Sequence, residues 1–240
     1  MNWNLRGGVI IIGSLLWQDD LKKGDKKRLI WRNSHLVDIK CKIPVKVPIR
    51  YGRESDSHII TMIFSNRMEK RNGFGYVIPF KNNINNKDEL LSECKALSEA
   101  EGMEGNFVAS WGGLLAYLLN DSIIEENIKK EIIQLFRQKQ NEEFCTCEYK
   151  VGIERSCVTK SLRLNINWVV PILNRDKSKI NDLHFLLATP TKPMSKKPTC
   201  KEIAERIVTD KERDYFINNL THGIITYDDF EIANEIAKLS

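Results

Sequence analysis

The sequence predicts an α+β protein: a small mixed or antiparallel β-barrel with peripheral helices and a helical C-terminal extension. Three observations predict it. Between residues 8 and 80, short β-branched runs bounded by turn residues carry the two-residue period of strands. From Lys87 the apolar spacing changes to three and four, the period of a helix. From Thr199, the capping patterns Thr199-x-x-Glu202 and Thr209-x-x-Glu212 open further helices. The expected organisation is an α+β core domain over residues 1–193, with a helical insertion at about 104–140, and a helical extension over 194–240.

The chain has 240 residues, 42% hydrophobic and 29% charged, enough to bury a core and too apolar for global disorder. No run of eighteen apolar residues occurs, so no membrane span is expected. Arg6 alone precedes the first apolar run, and Trp17-Gln18-Asp19-Asp20 is a poor cleavage site, so that run is expected to be a strand and not a signal peptide. The six cysteines lack paired Cys-x-x-Cys spacing, which points to reduced thiols in a cytoplasmic protein. Cys145, Cys147 and Cys157 are the minority reading as a metal or redox group. Asn120-Asp121-Ser122 and Asn219-Leu220-Thr221 match the glycosylation pattern without a secretory context to give it meaning.

In chain order, Gly7-Gly8-Val9-Ile10-Ile11-Ile12 is a buried strand running into Gly13-Ser14-Leu15. A bend there leaves amide N–H groups outside the ladder, where they can hold a carboxylate or phosphate. Leu21 to Arg32 is basic, a helix or a loop, with Arg28 and Arg32 facing either an anionic ligand or water. Leu36 to Tyr51 alternates cleanly, with Pro44 and Pro48 marking an edge or a break. Ile59–Phe64 and Phe74–Phe80 are further strands, the second entered through the hairpin signal Asn72-Gly73. Lys87 to Glu101 is a helix with the stripe Leu90, Leu91, Cys94, Leu97, stopped at Gly102. Asn106–Leu119 is expected to be a buried helix, Ile124–Gln138 an amphipathic one, and Leu162–Leu173 and Leu183–Ala188 strands.

Glu101 continues the buried stripe, four residues on from Leu97, whereas Glu89, Glu93 and Glu99 can reach water. A carboxylate carried toward an apolar interior at a helix C-terminus is pushed toward its neutral form by burial and by the dipole. Such a group is suited to proton transfer near neutral pH.

These features resemble the γ-glutamylcyclotransferase-like family over residues 8–103. There, a Tyr-Gly-Ser-(Asn/Leu) loop after the first strand holds the substrate's glutamyl group on backbone amides. A catalytic glutamate stands in a Leu-Asp-x-x-Glu-Gly type motif. Gly13-Ser14-Leu15 is similar to the loop, and Leu97-Ser98-Glu99-Ala100-Glu101-Gly102 to the glutamate motif. Ile12 stands where the family has tyrosine, and Ser98 where it has Asp; the family then continues into a tyrosine-bearing strand, where this chain reads as helix. The resemblance implies release of 5-oxoproline from a γ-glutamyl amine or amide, with Glu101 catalytic and no metal or cofactor. Gly13, Ser14 and Leu15 are the substrate-binding candidates it supplies, and Arg28 and Arg32 those of the basic stretch. The alternative is a non-enzymatic module binding a small ligand or a protein. Nucleic-acid binding is weaker still: the net charge of +5 is spread, and Glu125, Glu126, Glu142 and Glu143 break any basic surface.

Overall fold

Strand β1 (Gly7–Ile11) is buried at every position, at the centre of a six-stranded mixed sheet. A computed structural model describes residues 3–19, 26–56, 58–65, 72–119, 123–139, 146–151, 155–159, 163–166, 170–209 and 213–239. On one side β1 pairs antiparallel with β5 (Gly73–Pro79); on the other it pairs parallel with β10 (Phe185–Ala188). A strand covered on both faces reads as an unbroken apolar run, which is why Val9 to Ile12 do not alternate. β8 (Leu115–Leu118) extends the sheet beyond β10, while β2 (Ile43–Val47) and β9 (Val170–Pro171) extend it beyond β5. The α+β class holds. The described strands form an open order that ends in β8 and β9, and no closed barrel occurs among the described residues.

The alternating stretch breaks at Pro48. β2 stays in the main sheet, and β3 (Ile49–Glu54) leaves it to pair with β4 (Ile60–Phe64) in a two-stranded ribbon. The hairpin expected at Asn72-Gly73 is not formed among the described residues: β4 pairs with β3, and β5 with β1 and β2. Residues 66–71 lie outside the described residues.

The expected helix over Asn106–Leu119 is three short strands: β6 (Val108–Ala109), β7 (Gly112–Gly113) and β8. A Cβ on Gly112 would stand 2.7 Å from the Pro190 carbonyl oxygen, so the glycine permits a close backbone approach. The run Leu114 to Leu118 is apolar throughout, and such a run has no period to distinguish strand from helix. Within the expected insertion, helix α3 (Glu126–Lys139) is present, burying Ile128, Ile132 and Phe136. Of the expected strand Leu162–Leu173, only β9 and isolated bridges at Arg163 and Leu164 are described.

Helix α1 (Lys26–His35) lies against α2 (Lys87–Ala100), and His35 Nδ1 meets Glu93 Oε2 at 2.9 Å. Glu93 therefore does not simply point to water. The Asn86 side chain caps α2. Its end is a Schellman motif, with Met103 N–H donating to Ser98 O at 2.8 Å and Gly102 N–H to Glu99 O at 3.1 Å. Gly102 has φ +82°, in the left-handed region.

After the short helix α4 (Lys177–Asn181) and β10, the chain closes with α5 (Cys200–Val208), α6 (Arg213–Thr221) and α7 (Asp229–Leu239). The Thr199–Glu202 capping box is formed. These helices join the main core through Ile203, Ile207, Phe216 and Ile232, and Ile225 bridges to Phe74 of β5. At the start of α7, Asp229 is buried and accepts a hydrogen bond from Thr226. Burial pushes its carboxyl up to about 6 from an ordinary 3.8, against the Thr226 hydrogen bonds and with help from Asp228.

Two stability outcomes are expected. Gly102→Ala has open space for its methyl group, so its cost is the left-handed backbone alone, about 1 kcal/mol in urea unfolding. An unchanged midpoint would show that the Schellman turn does not hold this helix end. For Asp229 the raised folded value favours the neutral form. Its stabilising contribution is complete below about pH 3.8 and is lost as pH rises through about 6. Relative to wild type, Asp229→Asn should therefore gain on the order of 2–3 kcal/mol between pH 4 and pH 8, read from parallel denaturation curves.

Candidate functional site

Because β1 and β10 run parallel, the segments leaving their C-terminal ends emerge on the same side of the sheet. The segment after β1 is Ile12-Gly13 and a 3-10 turn, Ser14–Leu16; the segment after β10 is Thr189-Pro190-Thr191. The C-terminal end of α2 arrives at the same place. Together they line a cavity of about 340 Å³, with Gly13, Ser14, Leu15, Arg28 and Glu101 all in its wall. That size suits a small ligand. Sequence reasoning missed several further lining residues: Arg53 and Asp56, Thr61 and Met62, Trp111, Thr189 and Thr191, and Tyr215.

Glu101 sits where the helical phase expects it, at the end of the stripe of Leu90, Cys94 and Leu97, all fully buried. Its carboxylate has two partners. Thr189 Oγ1 donates to Oε1 at 2.7 Å, and Arg28 Nη2 lies 3.4 Å from Oε2. Both ion-pair side chains are largely covered, 17% exposed for Arg28 and 14% for Glu101. Ser98, one turn back, is fully buried and donates to Asn106 O at 2.5 Å, so it holds the chain after the helix and does not face the cavity.

Arg28 joins the walls. Nη1 donates to Ser14 Oγ at 2.9 Å and to Gln18 Oε1, and Nε donates to Ala100 O at 3.2 Å. Arg32 behaves differently. It faces neither ligand nor water: it is 5% exposed, lies outside the cavity lining, donates from Nη1 to Leu15 O at 2.5 Å, and pairs with Asp19. Burial pushes its guanidinium below the ordinary value. Arg32 thus supports the loop from behind. Trp31 beside it is buried as well, so the aromatic of the basic stretch offers no surface for stacking bases.

The amides of Gly13, Ser14 and Leu15 make no described hydrogen bond, as expected at the start of a 3-10 turn. The loop's outer side is held by α6. Trp17 Nε1 donates to Asn219 Oδ1 at 2.8 Å, and the Trp17 and Tyr215 rings meet at 5.9 Å. Burial pushes the Tyr215 phenol up, which keeps its proton in place. The Thr191 hydroxyl is buried with no hydrogen-bond partner among the described residues.

For metal binding, Cys145 and the Cys147 side chain lie outside the described residues, and Cys157 is buried. Elsewhere, ligand atoms of Cys200, Asp228 and Glu231 lie within 4.8 Å of one another. Asp228 is already paired with Lys197 at 3.1 Å, and burial pushes the Cys200 thiol up to about 11, away from the thiolate a metal needs. No helix among the described residues is long and apolar enough to cross a membrane.

Compared with known proteins, the chain matches no family model, no curated protein and no solved structure.

Replacing Arg32 by Met should remove the donor to Leu15 and leave Asp19 without its cation. A loss of roughly 2–3 kcal/mol in urea unfolding is expected. A stability within 0.5 kcal/mol of wild type would count against Arg32 as the loop's support.

Proposed function

We propose that this cavity is a cyclotransferase-like active site that releases 5-oxoproline from γ-glutamyl amines or amides. The observation that carries the reading is the shared cavity: Glu101 and the turn residues Gly13, Ser14 and Leu15 line the same small chamber, and the amides of that turn make no hydrogen bond among the described residues. Two further features support it. Glu101 is held by a hydroxyl and a guanidinium, so its geometry is fixed before a ligand arrives. The chain after Gly102 also runs into a strand carrying Tyr117, as in the family that residues 8–103 resemble.

The steps below are those that the resemblance over residues 8–103 implies for these residues. The substrate's α-carboxylate accepts hydrogen bonds from the loop amides, which bends the glutamyl chain back on itself. Its α-amine nitrogen attacks the γ-carbonyl carbon, and Glu101 accepts the proton released from that nitrogen. The tetrahedral centre then collapses. The bond to the leaving nitrogen breaks, and Glu101 returns its proton to that nitrogen. A ring amide and a free amine result, with no water consumed, no redox change and no cofactor required. Proton transfer of this kind contributes about 10²–10⁴ in rate. Holding the folded-back conformer contributes further by converting a floppy chain into a near-attack geometry. A cytoplasmic setting suits the reduced thiols of Cys41, Cys94, Cys157 and Cys200.

Glu101→Gln preserves shape and hydrogen bonding but removes the base. We expect at least a hundredfold loss of 5-oxoproline release from a panel of γ-glutamyl amides, with an unchanged far-ultraviolet spectrum. Wild-type rates in the variant would leave a non-catalytic binding module as the better reading.

A further inference from the structure

Of the two partners of the Glu101 carboxylate, the nearer one comes from far along the chain. Thr189 Oγ1 donates to Oε1 at 2.7 Å, while Arg28 Nη2 stands 3.4 Å from Oε2. Thr189 is the first residue after β10, well outside residues 8–103. It reaches Glu101 because β10 runs parallel to β1, with Gly7 opposite Phe185 and Val9 opposite Leu187. Both strands thus deliver their C-terminal ends to the cavity.

Sequence and packing leave this hydroxyl few alternatives. Pro190 follows Thr189 and disfavours the helical region for it. A β-branched side chain is stiff at χ1 in addition. The next residues are pinned by the strands after Gly102. Gly113 N–H donates to Pro190 O at 3.0 Å, Lys192 N–H donates to Trp111 O at 2.8 Å, and Gly112 bridges to Thr191. The segment that carries the hydroxyl is therefore held on both sides, by β1 before it and by β7 after it.

The two partners also differ in chemistry. A guanidinium only donates, so Arg28 favours the ionised carboxylate and cannot accept from a proton that Glu101 has taken up. A hydroxyl donates to the carboxylate and, by turning its hydrogen aside, accepts from the carboxyl O–H. Thr189 can follow Glu101 through both protonation states without exchanging a proton with it. The bond to the ionised form is the stronger, because charge-assisted hydrogen bonds are roughly twice as strong as neutral ones.

We infer that Thr189 is the positioning residue for Glu101: its hydroxyl orients the carboxylate and stays bonded to it as the proton arrives and leaves. This inference rests on the proposed cyclotransferase-like reading of the site. The other charged or titratable groups in the wall with Glu101 are Arg28 from α1, Arg53 from β3, Asp56 from the segment between β3 and β4, and Tyr215 from α6. Asp19 and Asp214 line the adjoining chamber. All of them are kept when residue 189 alone is replaced.

Thr189→Val keeps the branched shape and removes the hydroxyl; Thr189→Ser keeps the hydroxyl. Far-ultraviolet spectra and urea unfolding first establish that both full-length variants fold. Glu101 acts as a base in its ionised form, so losing the donor that favours this form moves the loss of rate to higher pH. For Thr189→Val, kcat for 5-oxoproline release from γ-glutamyl amides should fall roughly 3–30-fold with KM retained. The acid limb of its pH–rate profile should rise by about 0.5–1 pH unit. Thr189→Ser should recover both. The same displacement should appear in the carboxyl titration of Glu101 followed by ¹³C NMR, with Glu101→Gln assigning the resonance. A wild-type profile and titration in Thr189→Val, or a Thr189→Ser chain that recovers neither, overturns the inference. If the wild-type chain releases no 5-oxoproline, the cyclotransferase reading fails. The carboxyl titration, which needs no turnover, still decides whether Thr189 governs Glu101.

Discussion

One guanidinium holds the site together. Arg28 bonds the turn after β1 through Ser14 and Gln18, the last carbonyls of α2 through Ala100, and the carboxylate of Glu101. Without it, two negative features would face the loop amides across a small space: a helix C-terminus, whose dipole end is negative, and the Glu101 carboxylate. An anionic ligand approaching those amides would be repelled. With Arg28 between them, the carboxylate is paired and Glu101 keeps its position. The same cation thus ties the turn, the helix end and the carboxylate to one another.

Much of the first half of the fold is legible in the residues themselves. The run Val9 to Ile12 announces a central strand, Pro48 marks where the alternating stretch changes sheets, and the stripe Leu90, Cys94, Leu97 puts Glu101 on the inner face one residue before a left-handed glycine. The errors have physical causes. Residues 115–118 form a strand with little alternation, so helical and extended readings fit the same letters, and the pairing with β10 decides between them. Arg32 was open between ligand and water because sequence gives a charged side chain no direction; the Leu15 carbonyl turned it inward. Arg53, Trp111, Thr189 and Tyr215 carry no motif at all. They reach the cavity through a bulge, a bridge to the segment at Thr191, the parallel pairing of β10 with β1, and the packing of α6.

Residues 8–103 carry the loop and the carboxylate, but a turn of three residues does not fix its own amides. Here the turn is clamped from inside by Arg32 on the Leu15 carbonyl and from outside by α6, through Trp17 and Asn219. The lining also includes Trp111, Thr189, Thr191 and Tyr215, all from beyond Gly102. A site that works by preorganised donors is only as good as the rigidity of the elements behind them. The C-terminal helices and the strands after Gly102 are therefore parts of the site in the physical sense. They brace the turn after β1 and complete the lining of the cavity beside Glu101.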